Sequence, residues 1–153
     1  MNKIELKLSR KKNWRFFKHD SEKIWYAGEL CIVKKIFSKI LMLEEVNIQK
    51  LKQILQNSDN KFALIFKFKN RLICCTDTLR SYPIFYSKQE NKFLISNDTK
   101  ELIKNPIVNN NNAIIDCLLS GYAHGRNTLY ENINSMLAAE IIFSPTKYLG
   151  KLK

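Results

Sequence analysis

The sequence predicts an α+β fold, with antiparallel sheets and helices packed outside them. Three observations predict it. The order along the chain is strands, helix, strands, helix, strand; the strands follow one another as sequential hairpins; and no linker, internal repeat or composition shift divides the 153 residues. A chain of this length reads as a single domain, 1–153, with a core of ordinary size.

The elements follow in order. IELKL, Ile4 to Leu8, alternates apolar and polar residues with period two, as a half-buried strand does. NWRFFKHD and KIWYAGELCIVKKIF continue with aromatic and β-branched residues and read as further strands, with a polar turn at Asp20-Ser21-Glu22. In LEEVNIQKLKQILQNSDN, Val46, Ile48, Leu51, Ile54 and Leu55 fall mostly on one side of a helix. Glu44 and Glu45 suit the start of that helix, and the polar run from Asn57 ends it. KFALIFKF and RLICCT form a hairpin turned at Lys69-Asn70, and KFLIS is a later strand after the polar KQEN turn. NDTKELI starts a short helix with Asn97 or Asp98 as its cap. AIIDCLLSGY is a second main helix, on which Ala113, Ile114, Cys117, Leu118 and Tyr122 recur at helical spacing, and AAEIIF is a closing strand ended by Pro145.

The composition is that of a globular chain, 45% hydrophobic and 26% charged. No apolar run approaches the roughly 18 residues that span a bilayer, and no apolar segment follows the basic N-terminal residues as in a secretory signal. The expected location is cytoplasmic. The net charge is +12, and residues 1–39 hold eleven Lys and Arg against four Asp and Glu. A lysine-rich solvated surface explains this; an acidic partner is the sharper alternative. The four cysteines, Cys31, Cys74, Cys75 and Cys117, form no CxxC pair, and His19 and His124 are far apart, so no metal site or cofactor is expected. The thiols read as small buried hydrophobes, with Cys74 and Cys75 on opposite faces of one strand.

One segment asks for more than a turn. TDTLRSYPIFYS, Thr76 to Ser87, places Asp77, Arg80 and Pro83 three residues apart between two strand-like runs, with Tyr82, Phe85 and Tyr86 beside them. Asp77 ends one strand and can accept bonds from the turn amides. Arg80 can fork onto a carboxylate, and Pro83 can open the next strand. The rings supply buried area. This is a structural corner, with ligand contact by Asp77 or Arg80 as the alternative.

KFALIF, TDTLRSYPIFYS and FLISND occur in that order, followed by LLSGYAHGRNTLYENINSMLAAEII. Over Phe62 to about Phe143 the chain thereby resembles the amino-terminal domain of the glutamine-dependent asparagine synthetase family, a class II glutamine amidotransferase. Asp77, Pro83, Ile84, Phe85 and Tyr86 fall on positions of that family's D-x-x-G-x-x-P-[LI]-[FY]-Y segment, and Ser96 and Asn97 on its strand-ending Ser-Glu/Asn pair. Arg80 stands where many members have Gly, a variant similar to the branch that modifies surface sugars and peptides. The resemblance implies the N-terminal-nucleophile (Ntn) hydrolase fold, a four-layer αββα sandwich of two antiparallel sheets.

The same resemblance predicts what is missing. Such a glutaminase attacks with a cysteine at the mature amino terminus, its own α-amine acting as base; here position 2 is Asn2. The R-L-[SA]-I/V-x-D segment, the N-G-E-I-Y-N loop and the S-D-x-E-V helix start are not found. With four glycines, no S-G-G-x-D-S pyrophosphate loop can be built, so the synthetase domain is expected to be absent from the chain. No catalytic residue is therefore assigned.

The first functional reading is a degenerate amidotransferase domain kept as the non-catalytic partner of a separate synthetase with an ATP-pyrophosphatase domain. That synthetase would act on a surface sugar or a peptide. Such a copy should expose an apolar or aromatic patch; a homo-oligomer is a further option. The second reading is a basic binding module for nucleic acid or another acidic partner, with Trp14, Phe16, Phe17, Trp25 and Tyr26 available to stack bases. These rings alternate like strand core, which disfavours nucleic acid. A third is an enzyme using His124 beside Arg126 in the AHGRN loop, and the last is a gene remnant without function.

Overall fold

The computed structural model describes residues 3–9, 13–20, 22–43, 47–56, 60–68, 71–89, 92–103 and 106–145. Asn2, the basic run Arg10-Lys11-Lys12, Ser21, Glu44, Glu45, Val46, residues 57–59, the Lys69-Asn70 turn, part of the KQEN turn and the chain after 145 lie outside them. In chain order the elements are β1 (Lys3–Lys7), β2 (Arg15–His19), β3 (Glu22–Gly28), α1 (Leu30–Leu41), α2 (Ile48–Gln56), β4 (Phe62–Phe68), β5 (Arg71–Thr76), β6 (Phe85–Gln89), β7 (Lys92–Ser96), a 3-10 turn (Thr99–Glu101), α3 (Asn111–Ser120), β8 (Asn134–Ser135) and β9 (Ile141–Pro145). The fold is mixed α+β, with a five-stranded and a four-stranded sheet. Each sheet belongs to its own compact unit, the first spanning residues 10–83 and 138–146, the second 1–9, 84–137 and 147–153.

The first unit holds the sheet β2-β3-β4-β5-β9, antiparallel throughout. Alternation along β4 sends Phe62, Leu64 and Phe66 to one face, where they join Ile24, Tyr26, Ile73 and Cys75. From α1, Val33, Ile36, Phe37 and Ile40 close over that face, with Leu51 and Leu55 of α2. The Phe37 ring meets Phe66 edge-on at 5.2 Å and Phe17 at 5.7 Å. The opposite face carries Trp25, Ala27, Ala63, Ile65 and Cys74, all buried as well.

Helix α1 corrects the sequence reading, which ran strand character through Ile32 to Phe37. Val33, Ile36, Phe37 and Ile40 are spaced i, i+3, i+4, i+7, and their burial together outweighs the modest helix cost of β-branched residues. Gly28 makes the break. Its φ is +107°, and a Cβ there would stand 2.4 Å from the carbonyl oxygen of Lys61, so only glycine fits where β3 turns into α1.

The second unit holds the sheet β1-β7-β6-β8. β6 pairs antiparallel with β7 and β8, but β1 runs parallel to β7, Lys3 opposite Lys92 and Lys7 opposite Ser96. Antiparallel pairing was expected throughout. Hairpins impose it only on neighbours in sequence, and β1 reaches β7 from far along the chain, so either direction is open to it. Leu94, Leu102 and Ile133 form a small core with Phe85, Ile103 and Tyr130 against it. Asp98 caps the 3-10 turn by accepting from the Lys100 amide. Asn110 caps α3 by accepting from Ala113, and Gly121 closes it at φ +83° with its amide on Cys117. Of the α3 residues that recur at helical spacing only Ala113 is buried.

Candidate functional site

The Asp77 segment is a corner held from inside. Asp77 follows β5 and is buried. Its carboxylate accepts from the amides of Leu79 at 2.7 Å, Phe62 at 3.0 Å and Ser81 at 3.2 Å, and from the Ser81 hydroxyl at 3.3 Å. Its own amide donates to the Phe62 carbonyl at 3.1 Å, and its carbonyl accepts from Arg80 at 3.2 Å and Ala139 at 2.8 Å. One residue thus ties its own turn to the start of β4 and to the approach to β9. With this many donors on the carboxylate, the structural role is the one its geometry supports.

Arg80 has φ +53° and Ala139 φ +54°. Left-handed backbone costs an L-residue about 1–2 kcal/mol and a glycine nothing, which is the physical reason that glycine suits position 80. Pro83 does not open a strand, since β6 begins two residues later at Phe85. Tyr82, Phe85 and Tyr86, expected as buried rings, are half-buried, and Ile84 between them is the residue fully enclosed. Tyr86 stacks on Phe93 at 5.4 Å and accepts from Arg126 Nη1 at 3.2 Å.

Ser96 and Asn97 make a second knot. The Ser96 hydroxyl donates to the Lys7 carbonyl at 2.6 Å and accepts from the Asp98 amide at 3.0 Å. The Asn97 side chain brackets Ser9, donating to its carbonyl at 2.6 Å and accepting from its amide at 3.1 Å. These two residues pin the end of β1 beside β7, a role that sequence reasoning did not assign.

The remaining candidates are dispersed. The His124 ring lies flat on Tyr122 at 4.8 Å, and its amide donates to Asp116 at 3.4 Å; Arg126 is engaged with Tyr86. Trp14, Trp25 and Tyr26 are buried, which takes three of the five basic-region rings out of reach of a stacking base. Cys74 and Cys75 are buried as expected. Burial pushes both thiols up, that of Cys75 to about 12, so neither supplies a thiolate nucleophile near neutral pH. Cys31, expected in a core, is exposed in the first turn of α1, its thiol 3.7 Å from the Glu29 carboxylate. No group of three or more His, Cys, Asp or Glu among the described residues is placed to hold a metal ion.

The β3–α1 junction borders a cavity of about 800 Å³ lined by Arg15, Gly28, Cys31, Lys61 and Tyr82 among others. The sequence reading placed no site here; Asn13 and Asn60 also line the cavity.

The least expected feature is on α3. Ile115, Leu118 and Leu119 stand three and four residues apart, so they share one side of the helix, and Tyr122 follows just past the Gly121 cap. All four are exposed, Leu118 by 80% and Leu119 by 84%. No helix among the described residues is long and apolar enough to cross a membrane. No protein-family model and no curated protein matches the chain.

Proposed function

We propose that the chain carries a four-layer αββα amidotransferase-like domain of Ntn-hydrolase type without glutaminase activity. It docks on a separate ATP-dependent amide synthetase that modifies a surface sugar or a peptide. The observation that carries the docking is the α3 face, a contiguous apolar stripe ending in an aromatic ring, as a retained interface requires. A further feature supports the reading. The residues on the motif positions, Asp77, Ser96 and Asn97, make their hydrogen bonds to the chain's own backbone and hydroxyls.

The test is affinity capture from the native cell with the wild-type chain and with the double variant Leu118→Asp/Leu119→Asp. The expected result is recovery of a protein bearing an S-G-G-x-D-S loop by the wild type and its loss with the variant. A wild-type chain isolated as a lone monomer, or a homodimer abolished by the variant, would overturn the docking. Glutamine turnover above a heat-killed control would overturn the non-catalytic half.

A further inference from the structure

β1 is the outermost strand of the four-stranded sheet, and among the described strands it pairs with β7 alone. In an extended chain the amide and carbonyl of one residue point to the same side, and those of the next residue to the other. The Lys7 carbonyl accepts from the Ser96 hydroxyl at the end of β7, and Asn97 holds the Ser9 amide and carbonyl. Lys3, Glu5 and Lys7 therefore turn their backbone groups to β7, while Ile4, Leu6 and Leu8 turn theirs to the outer edge. No described strand pairs with that edge. Such a row of donors and acceptors is a template for another strand unless a proline, a bulge or a cover closes it. β1 has no proline, and its register with β7 runs unbroken from Lys3 to Lys7.

The side chains decide which strand fits. Ile4, Leu6 and Leu8 share one face of β1, with Ile4 buried and the two leucines half-buried. Glu5 and Lys7 point to the other face, where the Glu5 carboxylate, 34% exposed, meets Lys92 at 3.5 Å. The segment Ile4 to Leu8 is complementary to itself when reversed. Laid antiparallel on a second copy about an axis at Leu6, it sets Leu6 against Leu6, Ile4 against Leu8, and Glu5 against Lys7 on both sides of the axis. Centred instead on Glu5 or on Lys7, it would bring like charges face to face. Centred on Ile4, it would leave Lys7 opposite Met1, with no counter-charge. A carboxylate has two oxygens, so Glu5 can keep Lys92 and still receive Lys7 of the second copy.

We propose that two copies of the chain associate through β1, antiparallel about a two-fold axis at Leu6, which joins their four-stranded sheets into one. The contact is the same patch on both copies, so it closes at a dimer. The order of charges along the edge rejects strands that lack the reverse order. The net charge of +12 on each copy opposes the approach, and salt at about 0.15 M, with a Debye length of about 8 Å, screens most of that repulsion. A single strand pair belongs with interfaces below about 1,200 Å², so the dimer is weak and depends on concentration. It is independent of the α3 face and of any partner there.

Sedimentation of the full chain in about 0.15 M salt tests this. The wild type should be monomeric at about 1 µM and dimeric at about 500 µM. Glu5→Lys and Lys7→Glu each turn two symmetry-related attractions into repulsions, and each should weaken association about tenfold. The double variant Glu5→Lys/Lys7→Glu restores opposite charges across the axis and should regain the dimer. Leu6→Pro removes the central outward amide and leaves the β7 ladder its own bonds, so it should abolish association. If Glu5→Lys unfolds the chain through the loss of its Lys92 contact, Lys7→Glu still reads the register. A wild type that stays monomeric at about 500 µM overturns the proposal. So does a dimer indifferent to Lys7→Glu, or one that the single variants weaken and the double variant does not restore. A dimer dissolved by Leu118→Asp/Leu119→Asp would be built on α3, and overturns it as well.

Discussion

Helices α1 and α3 are similar in length, both rich in Leu and Ile and each with one Cys, yet they are held by different forces. α1 has no side-chain cap at Glu29 and is secured by Val33, Ile36, Phe37 and Ile40 in a core. α3 has a cap at each end and buries only Ala113. The difference lies in how apolar residues are distributed. In α1 they form one stripe with lysines on the other side. In α3 they occupy most of the circumference, so any single contact leaves some of them in water. A helix maintained by its ends can keep an apolar side free for something else.

Three substitutions sharpen this contrast. Phe37→Ala should cost about 3–5 kcal/mol, because the ring is enclosed by Phe17, Phe66 and His19; chemical denaturation measures it, and a loss under about 1 kcal/mol would mean that α1 does not depend on its core. Asn110→Ala should cost about 1 kcal/mol, read from the same transition, since the bond to Ala113 at 3.2 Å is the α3 cap. Leu118→Ser with Leu119→Ser should move the unfolding midpoint least, within about 0.5 kcal/mol each. A larger loss would show these leucines packed against the chain's own residues.

The contrast also shows what the sequence could reveal. The hairpins β4–β5 and β6–β7 and most of α3 are legible because their signals are local: alternation, turn residues and helical spacing; the Asn109–Asn112 run, read as a loop, instead supplies the α3 cap Asn110 and its first residues. The Asp77 corner is partly legible, because three of its carboxylate's acceptor bonds come from within four residues. Its bond to Phe62, 15 residues away, is not. α1 was obscured because aromatic and β-branched residues on either side of Gly28 suggest one continuous strand, and Gly28 acts through the Lys61 carbonyl, which lies far along the chain. The exposure of Leu118 and Leu119 was beyond sequence reasoning, since helical spacing shows which residues share a side and not which side is covered.

The pairing of β1 with β7 brings together backbone groups about 90 residues apart. During synthesis the first strand must wait, unpaired, until nearly a hundred residues have left the ribosome. Closing so long a loop is entropically slow, so the arrival of β1 should be among the last events of folding, and until then β7 presents an open edge to whatever it meets.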